Sequence, residues 1–364
     1  MKAGITKAGG VKAGGVKAGG VKAGAVNAVV LRAGPVTARL ERRTLVATLV
    51  LAAAALLLGV VGLCRGDEWD SPATVLPALA GHGDSVLVVR EWRLPRVVAA
   101  LLFGAALGAA GSIFQNLTRN PLGSPDVIGL DAGAYTGVLV AITVFGGSAA
   151  GVATGSIVGG VLAAAAVYVL SLGSGVSGLR LIVVGIAMNA MLTAVYSWII
   201  LRADLDVAIA ATGWQAGSLN GLDWAELRLP FLIAGTFLLL LAALSRALHQ
   251  ATLGDEVAAA SGVHLNRLRL LAVLAGVGCT AAVTSATGPI VFVALAAPQI
   301  GRRLAGAPGV PPLPAALTGA LLLLAADIAA QTVLAPVQLP VGVVTTAIGG
   351  TYLIWLLIKE VRRP

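Results

Sequence analysis

The chain has 364 residues, of which 58% are hydrophobic and only 11% are charged, and its mean hydropathy is +0.93. An ordinary soluble domain is roughly half apolar and about a quarter charged, so a water-soluble globule is excluded. The net charge of +9 accompanies only 4% aromatic residues, which excludes the basic, base-stacking profile of a nucleic-acid binder. Two cysteines and three scattered histidines exclude a disulfide framework and a metal site.

The N-terminal segment is a low-complexity tail. Residues 2–26 repeat a five-residue unit in which each lysine is followed by Ala-Gly, and five is neither a helical nor a strand period. We predict a disordered basic tail over residues 1–40 and a transmembrane domain over residues 41–364. A weak interaction of the lysines with anionic lipid is the alternative to a solvated appendage.

The remainder consists of apolar runs long enough to cross a bilayer, which predicts an all-α polytopic membrane protein of about ten helices. The predicted spans are 45–63, 95–114, 126–145, 149–170, 180–201, 229–248, 269–286, 289–305, 313–332 and 341–358. Only Thr287 and Gly288 separate the seventh span from the eighth. A re-entrant hairpin or one broken pair is therefore the alternative at that point.

Basic residues indicate the orientation, because cytoplasmic loops collect Lys and Arg. With ten spans both termini lie on one side of the membrane. Placing them inside puts 19 basic residues in the cytoplasm and 6 outside, counted from the printed sequence. Cytoplasmic termini are therefore predicted.

Small residues recur at helical spacing in two spans. Gly104, Gly108 and Gly111 form one stripe, and a second stripe in the fourth span contains Gly147, Gly151, Gly155 and Gly159. Such stripes let helix backbones approach closely, so packing is the first interpretation. Lining of a translocation path is the alternative.

Two carboxylates, Asp131 and Asp327, lie within apolar spans, where a charge facing lipid is costly. We interpret both as structural groups that hydrogen-bond to helix termini or neighbouring helices. The alternative is a proton relay, although no Lys, Arg or His occurs in the middle of a span to complete it.

Proline and glycine interrupt the chain at two places, Asn120 to Pro125 and Gly288-Pro289. Broken backbone at membrane depth must be buried in protein or line a cavity, so a path is predicted near these residues. An ordinary turn beside Arg119 is the alternative for the first interruption. The candidate path residues are Gln115, Asn116, Asn120, Pro121, Gly288, Pro289 and Phe292.

The longest predicted inside loop, about 250–269, contains a short amphipathic helix that is broken at Gly262. Its apolar residues fall at helical spacing, and Asp255 and Glu256 occupy the first turn, where they suit the helix dipole. Such a helix either lies on the membrane or docks to a soluble partner. No phosphate-binding G-x-x-x-x-G-K-[ST] motif is present, so energy for transport must come from a partner or an ion gradient.

Several separated segments carry recognisable motifs. Arg-Leu-Pro-Arg at 93–96 precedes GAALGAAGSIFQNLTRNPLGSPDVIGLDAGA at 104–134. The later segments are W-x-x-G-S-L at 214–219, LGDEVAAASGV at 253–263, GPIVFVALAAPQIGRRLAG at 288–306 and LPVGVVTTAIGGTYLIWLL at 339–357. In order and spacing they resemble, over residues 45–360, the FecCD family of binding-protein-dependent permeases, the membrane subunits of ABC importers for iron-siderophores, haem and vitamin B12.

The resemblance implies a type II ABC importer architecture. Two ten-helix subunits, identical or related, enclose a central path, and two ATPase subunits bind beneath it. Arg93 and Arg96 are implied to dock an extracytoplasmic substrate-binding protein, with a role as interface anchors as the alternative. The residues implied to couple the permease to the ATPase are Leu253, Gly254, Asp255, Glu256, Ala260 and Gly262.

Three residues depart from the family pattern. Gln299 stands where His is usual, and Ala294 replaces a glycine; both are expected to be tolerable packing changes. Gln331 follows Asp327 where Arg is common, which removes a docking charge. The subunit then relies on Arg93 and Arg96, or on a related partner subunit that carries the missing Arg.

We therefore expect a multi-pass permease of the bacterial cytoplasmic membrane that imports a ferric siderophore by alternating access. It makes no bond itself and binds no cofactor, because ATP-Mg binds the partner ATPase. Cobalamin or haem is the alternative cargo. A gradient-driven secondary transporter that uses Asp131 and Asp327, and a non-transporting partner subunit, are the alternatives from other classes.

Overall fold

The structure, a computed structural model, describes residues 28–33, 36–66, 69–126, 129–171, 178–307 and 309–361. The chain separates into two units, Met1–Arg42 and Arg43–Pro364. The lysine repeat at residues 2–26 lies outside the described residues, so its predicted disorder stays a prediction.

The first unit contains an antiparallel hairpin of β1 (Ala28–Ala33) and β2 (Val36–Glu41). Ala33 pairs with Val36, and the register continues to Ala28 opposite Glu41. The prediction of a disordered tail up to residue 40 is wrong for these strands. The repeat has ended by this point, and the strand sequences AVVLRA and VTARLE contain the β-branched residues that favour extended backbone.

In the second unit, the regular secondary structure of the described residues is helical apart from one isolated β-bridge. A π-helical turn (Val88–Arg93) runs directly into α3. The α-helices are α1 (Arg42–Cys64), α2 (Pro72–Leu79), α3 (Leu94–Thr118), α4 (Leu130–Phe145), α5 (Ala149–Leu170), α6 (Gly178–Arg202), α7 (Leu205–Gln215), α8 (Trp224–Ala251), α9 (Asp255–Ala260), α10 (Leu265–Thr287), α11 (Val293–Ala305), α12 (Pro312–Thr332) and α13 (Val341–Val361).

Seven helices in the described part of the chain are long and apolar enough to cross a membrane, namely α1, α3 with its π-helical turn, α5, α6, α8, α10 and α12. Two shorter apolar helices are α4 and the stretch Val341–Trp355 of α13. The eighth predicted span corresponds to α11, which has only 13 residues. At 1.5 Å per residue it measures about 20 Å, less than the ~30 Å hydrocarbon core. By itself α11 is therefore shorter than a full crossing.

Burial places α3 and α10 at the centre of the bundle. In each of these helices 78% of the most apolar window is buried, compared with 11% in α6. Their central residues are small, as expected where several helices converge. Helix α9 precedes α10 in the chain and the α10–α11 break follows it, so both of these candidate site segments adjoin a central helix.

The glycine stripes are packing surfaces. On α3, Gly104 lies against the main chain of Gly319 and Gly108 against that of Ala315, both on α12. Two other glycines of the fourth predicted span, Gly155 and Gly159, face the main chain of α4. The packing interpretation is confirmed for these contacts. Gly147 does not belong to its predicted stripe, because it lies before α5 with a φ of +67°.

Candidate translocation and coupling site

The two arginines predicted to dock a binding protein lie where the π-helical turn meets α3, and both are held by carboxylates of the same chain. Arg93 forms an ion pair of 2.7 Å with Asp70 and donates a hydrogen bond of 3.1 Å to the carbonyl of Leu63. Only 12% of the Arg93 side chain is exposed, whereas Asp70 is 32% exposed. Arg93 therefore anchors the segment between α1 and α2 to the start of α3.

Arg96 makes the more buried contact. Its guanidinium donates to both carboxylate oxygens of Asp327 on α12, at 2.9–3.1 Å, and to Gln338 Oε1 at 2.9 Å. The Asp327 side chain is 2% exposed and also accepts a 2.8 Å hydrogen bond from Gln331. The structural interpretation of Asp327 predicts contacts of this kind, and the role itself stays a prediction. From the sequence, Gln331 was expected only to remove a docking charge. In the structure its side chain donates to Asp327 and so belongs to this hydrogen-bond network.

Asp131 also bonds to a neighbouring helix. Thr284 on α10 donates from Oγ1 to Asp131 Oδ1 at 3.2 Å, a contact that the structural interpretation of this carboxylate predicts. Asp126, in the turn before α4, interacts electrostatically with Asp131, and its Oδ1 is buried without a hydrogen-bond partner among the described residues. Sequence analysis assigned no role to Asp126. The available signal was its position five residues before Asp131.

The break between α10 and α11 meets two other chain segments at glycines, and we call Gly217, Gly288 and Gly342 the glycine junction. Gly217 lies against the carbonyl of Pro289, while Gly288 lies against that of Trp214. Gly342 N donates to the carbonyl of Gly217 at 3.0 Å. Gly288 and Pro289 are buried, so this predicted path segment is packed within protein in the single chain.

Phe292 is the one predicted path residue of the break that is only half-buried. It precedes α11 with a φ of +70°, a left-handed conformation that is unusual for a bulky residue. Strained backbone of this kind persists where the surroundings fix it, and it is frequent at functional sites. Phe292 therefore stays a candidate for the path.

We expect Gly288→Ala to destabilise the protein by about 1–3 kcal/mol, because only glycine readily adopts its backbone angles of φ +71° and ψ −177°. The added Cβ would also collide with the main chain of Trp214. Unfolding midpoints in detergent measure the effect. Gly350→Ala in α13 is the control, since a Cβ there meets no atom within 4 Å. Equal midpoints for the two variants would show that the junction tolerates a side chain.

At the other end of α3, the predicted path residues bond to the chain itself. The buried Gln115 donates to the carbonyl of Leu295 at 3.0 Å and accepts a hydrogen bond from Gln299. Arg302 in turn donates to Gln299 Oε1 at 3.3 Å. Asn116 exchanges two hydrogen bonds with the backbone of Val310, at 2.9 and 3.3 Å. Gln115 and Asn116 thus bind α3 to α11 and to the chain after it.

Asn120 and Pro121 form an ordinary turn, as the alternative interpretation proposed. Asn120 Oδ1 accepts a hydrogen bond of 2.9 Å from the backbone of Leu122, and the carbonyl of Asn120 accepts one of 3.0 Å from Gly123. Arg119 ends α3 in a left-handed conformation with a φ of 50°. This turn borders a cavity of about 380 Å³ whose wall includes Arg269, Arg302 and Asp255.

The predicted amphipathic helix of the 250–269 loop is α9, and Gly262 follows it with a φ of +85°, so the predicted break is confirmed. Gly254 precedes the helix with a φ of +118°. Leu253 and Ala260 are exposed on the surface of the bundle. Asp255 forms ion pairs with Arg119 and Arg269, at 3.1 and 2.8 Å. The opposite ends of α3 therefore carry the two predicted interaction sites, Arg93 with Arg96 and the α9 region.

The architecture and the site define a helical permease, a multi-pass membrane protein in which Asp327 and Asp131 both bond to neighbouring helices. The FecCD transport family model matches residues 49–359, and the chain belongs to this family. It is 47% identical over 325 residues to the ferric enterobactin transport system permease protein FepG of Escherichia coli, covering 89% of this chain and 98% of FepG. It is 35% identical to the Fe(3+)-citrate import system permease protein YfmE of Bacillus subtilis, covering 90% and 99% of the respective chains.

Among solved structures, the chain is similar to an ABC transporter described as being of the metal-chelate type, in an inward-facing conformation. The TM-score is 0.75 with 27% sequence identity, covering 87% of this chain and 99% of the other. Membership of the family makes the chain a non-catalytic transport subunit of the inner membrane. Permeases of this class work together with an ATPase and a binding protein.

Proposed function

We propose that the chain is the membrane-spanning permease subunit of a binding-protein-dependent ABC importer that carries a ferric siderophore. The observation that supports this cargo is the 47% identity, over nearly the whole of both chains, to a permease for ferric enterobactin. Cobalamin or haem is the alternative cargo within the family. Transport proceeds by alternating access, and ATP-Mg is bound and hydrolysed by a separate subunit.

In the proposed assembly, two permease subunits, identical or related, enclose the path and two ATPase subunits bind at α9. Both termini are cytoplasmic, because this orientation places most basic residues inside. We propose ten crossings, with the short α11 completed by the segment 288–292.

For docking of the binding protein, we propose Arg93, because its carboxylate partner is the more exposed of the two. An incoming carboxylate would have to displace Asp70 from Arg93 or Asp327 from Arg96. Asp70 is 32% exposed and Asp327 only 2%, so exchange at Arg93 involves far less desolvation. Arg96 would then support this end of the bundle without contacting the partner.

A secondary transporter remains the alternative from another class, and the carboxylate contacts argue against it. Asp327 is bonded to Arg96, and Asp131 accepts a hydrogen bond from Thr284. A proton relay would need a carboxylate free to exchange protons with water. The internal pairing of Asp327 supports a structural role instead.

The proposed function is tested by reconstituting the chain in proteoliposomes with the ATPase and the binding protein encoded beside it. We expect ATP-dependent uptake of iron-loaded enterobactin, and loss of uptake when the ATPase carries an inactive catalytic site. The chain reconstituted alone with an imposed proton gradient is the control. Gradient-driven uptake by the chain alone would support the secondary transporter. Uptake restricted to cobalamin or haem would show that one of these, and not a ferric siderophore, is the cargo.

A further inference from the structure

Asp255 faces inward from α9, towards the rest of the bundle. Its Oδ1 accepts a hydrogen bond of 3.1 Å from Arg119 at the end of α3, and its Oδ2 accepts one of 2.8 Å from Arg269 on α10. Ala258, one helical turn further along, is fully buried. Asp255 and Ala258 therefore form the inner face of α9, and a single carboxylate joins this helix to both central helices.

The neighbours of Asp255 face outward. Leu253 is 64% exposed and Val257 is 53% exposed. Glu256 is exposed as well and makes no ion pair within the described part of the chain. These three residues present an apolar surface with one acidic group, of the kind a soluble partner covers.

We propose that Asp255 is a positioning residue that transmits movement of α9 to α3 and α10, whereas Glu256, Leu253 and Val257 form the surface that contacts the ATPase. The inference rests on the proposed function, in which a separate ATPase binds at α9. It assigns different roles to two adjacent acidic residues that the sequence groups together.

The ion pairs of Asp255 with Arg119 and Arg269 are exposed, so their strength depends on whether a partner covers α9. The side chains of Arg119, Asp255 and Arg269 are 68%, 45% and 27% exposed, and pairs of this kind contribute little in water. A partner that covers α9 removes water and lowers the local dielectric, which strengthens both pairs. The two helices they join lead to the break at Gly288 and to the Gln115 contacts with α11. Binding of the ATPase therefore strengthens the two ion pairs of Asp255, through which movement of α9 reaches α3 and α10.

The test compares Asp255→Asn with the matched variant Glu256→Gln in the complete transporter, reconstituted with its ATPase and binding protein. Three quantities are measured: the amount of ATPase that co-purifies, the rate of ATP hydrolysis, and the iron-loaded enterobactin imported per ATP. For Asp255→Asn we expect co-purification as in the wild type and a fall of about fivefold or more in chelate per ATP. For Glu256→Gln we expect an unchanged ratio and weaker co-purification. Asp255→Glu is expected to restore most of the ratio.

A double-mutant cycle identifies the contact responsible. Because Asp255 is proposed to act through Arg119 and Arg269, the ratio for Asp255→Asn with Arg269→Gln is expected to fall no further than for Asp255→Asn alone. An unchanged ratio in Asp255→Asn, or the same loss of co-purification as in Glu256→Gln, would overturn the inference. A wild-type complex that moves only cobalamin or haem contradicts the proposed cargo alone, and the ratio measured with that cargo still decides the role of Asp255. A wild-type chain that binds no ATPase overturns both proposals.

Discussion

Replacing Asp327 with alanine is expected to destabilise the protein by about 3–5 kcal/mol, because the largely buried guanidinium of Arg96 would lose its carboxylate partner. The Arg96 side chain is only 14% exposed, so water cannot replace the two lost contacts fully. We expect a much lower unfolding midpoint in detergent and less monodisperse protein after purification. Both are measured by fluorescence-detected gel filtration after heating.

Two variants show whether the lost charge pair is responsible. Asp70→Ala removes the partner of Arg93 from a more exposed pair and is expected to lower stability by ~1 kcal/mol or less. Arg96→Met combined with Asp327→Leu removes both charges and is expected to recover most of the stability. If Asp327→Ala and Asp70→Ala unfold at the same midpoint, the ion pair between Arg96 and Asp327 contributes no more to stability than the pair between Arg93 and Asp70.

The same pair restricts how docking of the binding protein is tested. A glutamate at position 96 would face Asp327, and like charges in a buried site destabilise the fold. Loss of binding in such a variant would report unfolding as readily as a lost contact. Arg93→Gln is therefore the suitable docking variant, with binding affinity measured across a range of salt concentrations.

Gly111→Ala is expected to lower the free energy of unfolding by about 3 kcal/mol, because the added Cβ would collide with main-chain atoms. Gly111 on α3 lies directly against the carbonyl of Ala294 at the start of α11, and its Cβ would also meet Pro298 at 3.0 Å. A side chain can rotate away from such a contact, but a carbonyl within a helix cannot. Denaturant unfolding in detergent measures the change.

Gly235→Ala is the matched control for this prediction. Gly235 lies within α8, and a Cβ there meets no atom within 4 Å. Alanine favours helix over glycine by up to about 1 kcal/mol, so this variant is expected to be neutral or slightly more stable. If Gly111→Ala has the same stability as Gly235→Ala, α3 and α11 can separate without loss.

The sequence predicted the features that depend on local pattern. Apolar runs predicted the long helices. The helical spacing of apolar residues in the 250–269 loop predicted α9, and Gly262 predicted the break that follows it. Gly288 and Pro289 predicted the break in the backbone between α10 and α11. These features are encoded within a few residues of each other, so composition and periodicity reveal them.

The contacts between distant residues were not predictable in the same way. Arg96 and Asp327 are 231 positions apart, and Arg119 and Asp255 are 136 apart. Arg93 and Arg96 were therefore interpreted from the family resemblance, which implied docking rather than internal pairing. Ala294 was identified as a departure from the family pattern, but only the structure shows that its carbonyl fits against Gly111.

The close contact of α3 with α12 limits how the transporter can rearrange. Gly104 and Gly108 bring the two main chains into direct contact, and Arg96 fastens the same pair of helices near one end. Neither backbone has a rotamer to change, so one helix cannot slide past the other without breaking that contact. The two helices are therefore expected to move as one unit. With 25 residues α3 is about 37 Å long, so it is long enough to join Arg119 on one face of a bilayer to Arg96 near the other.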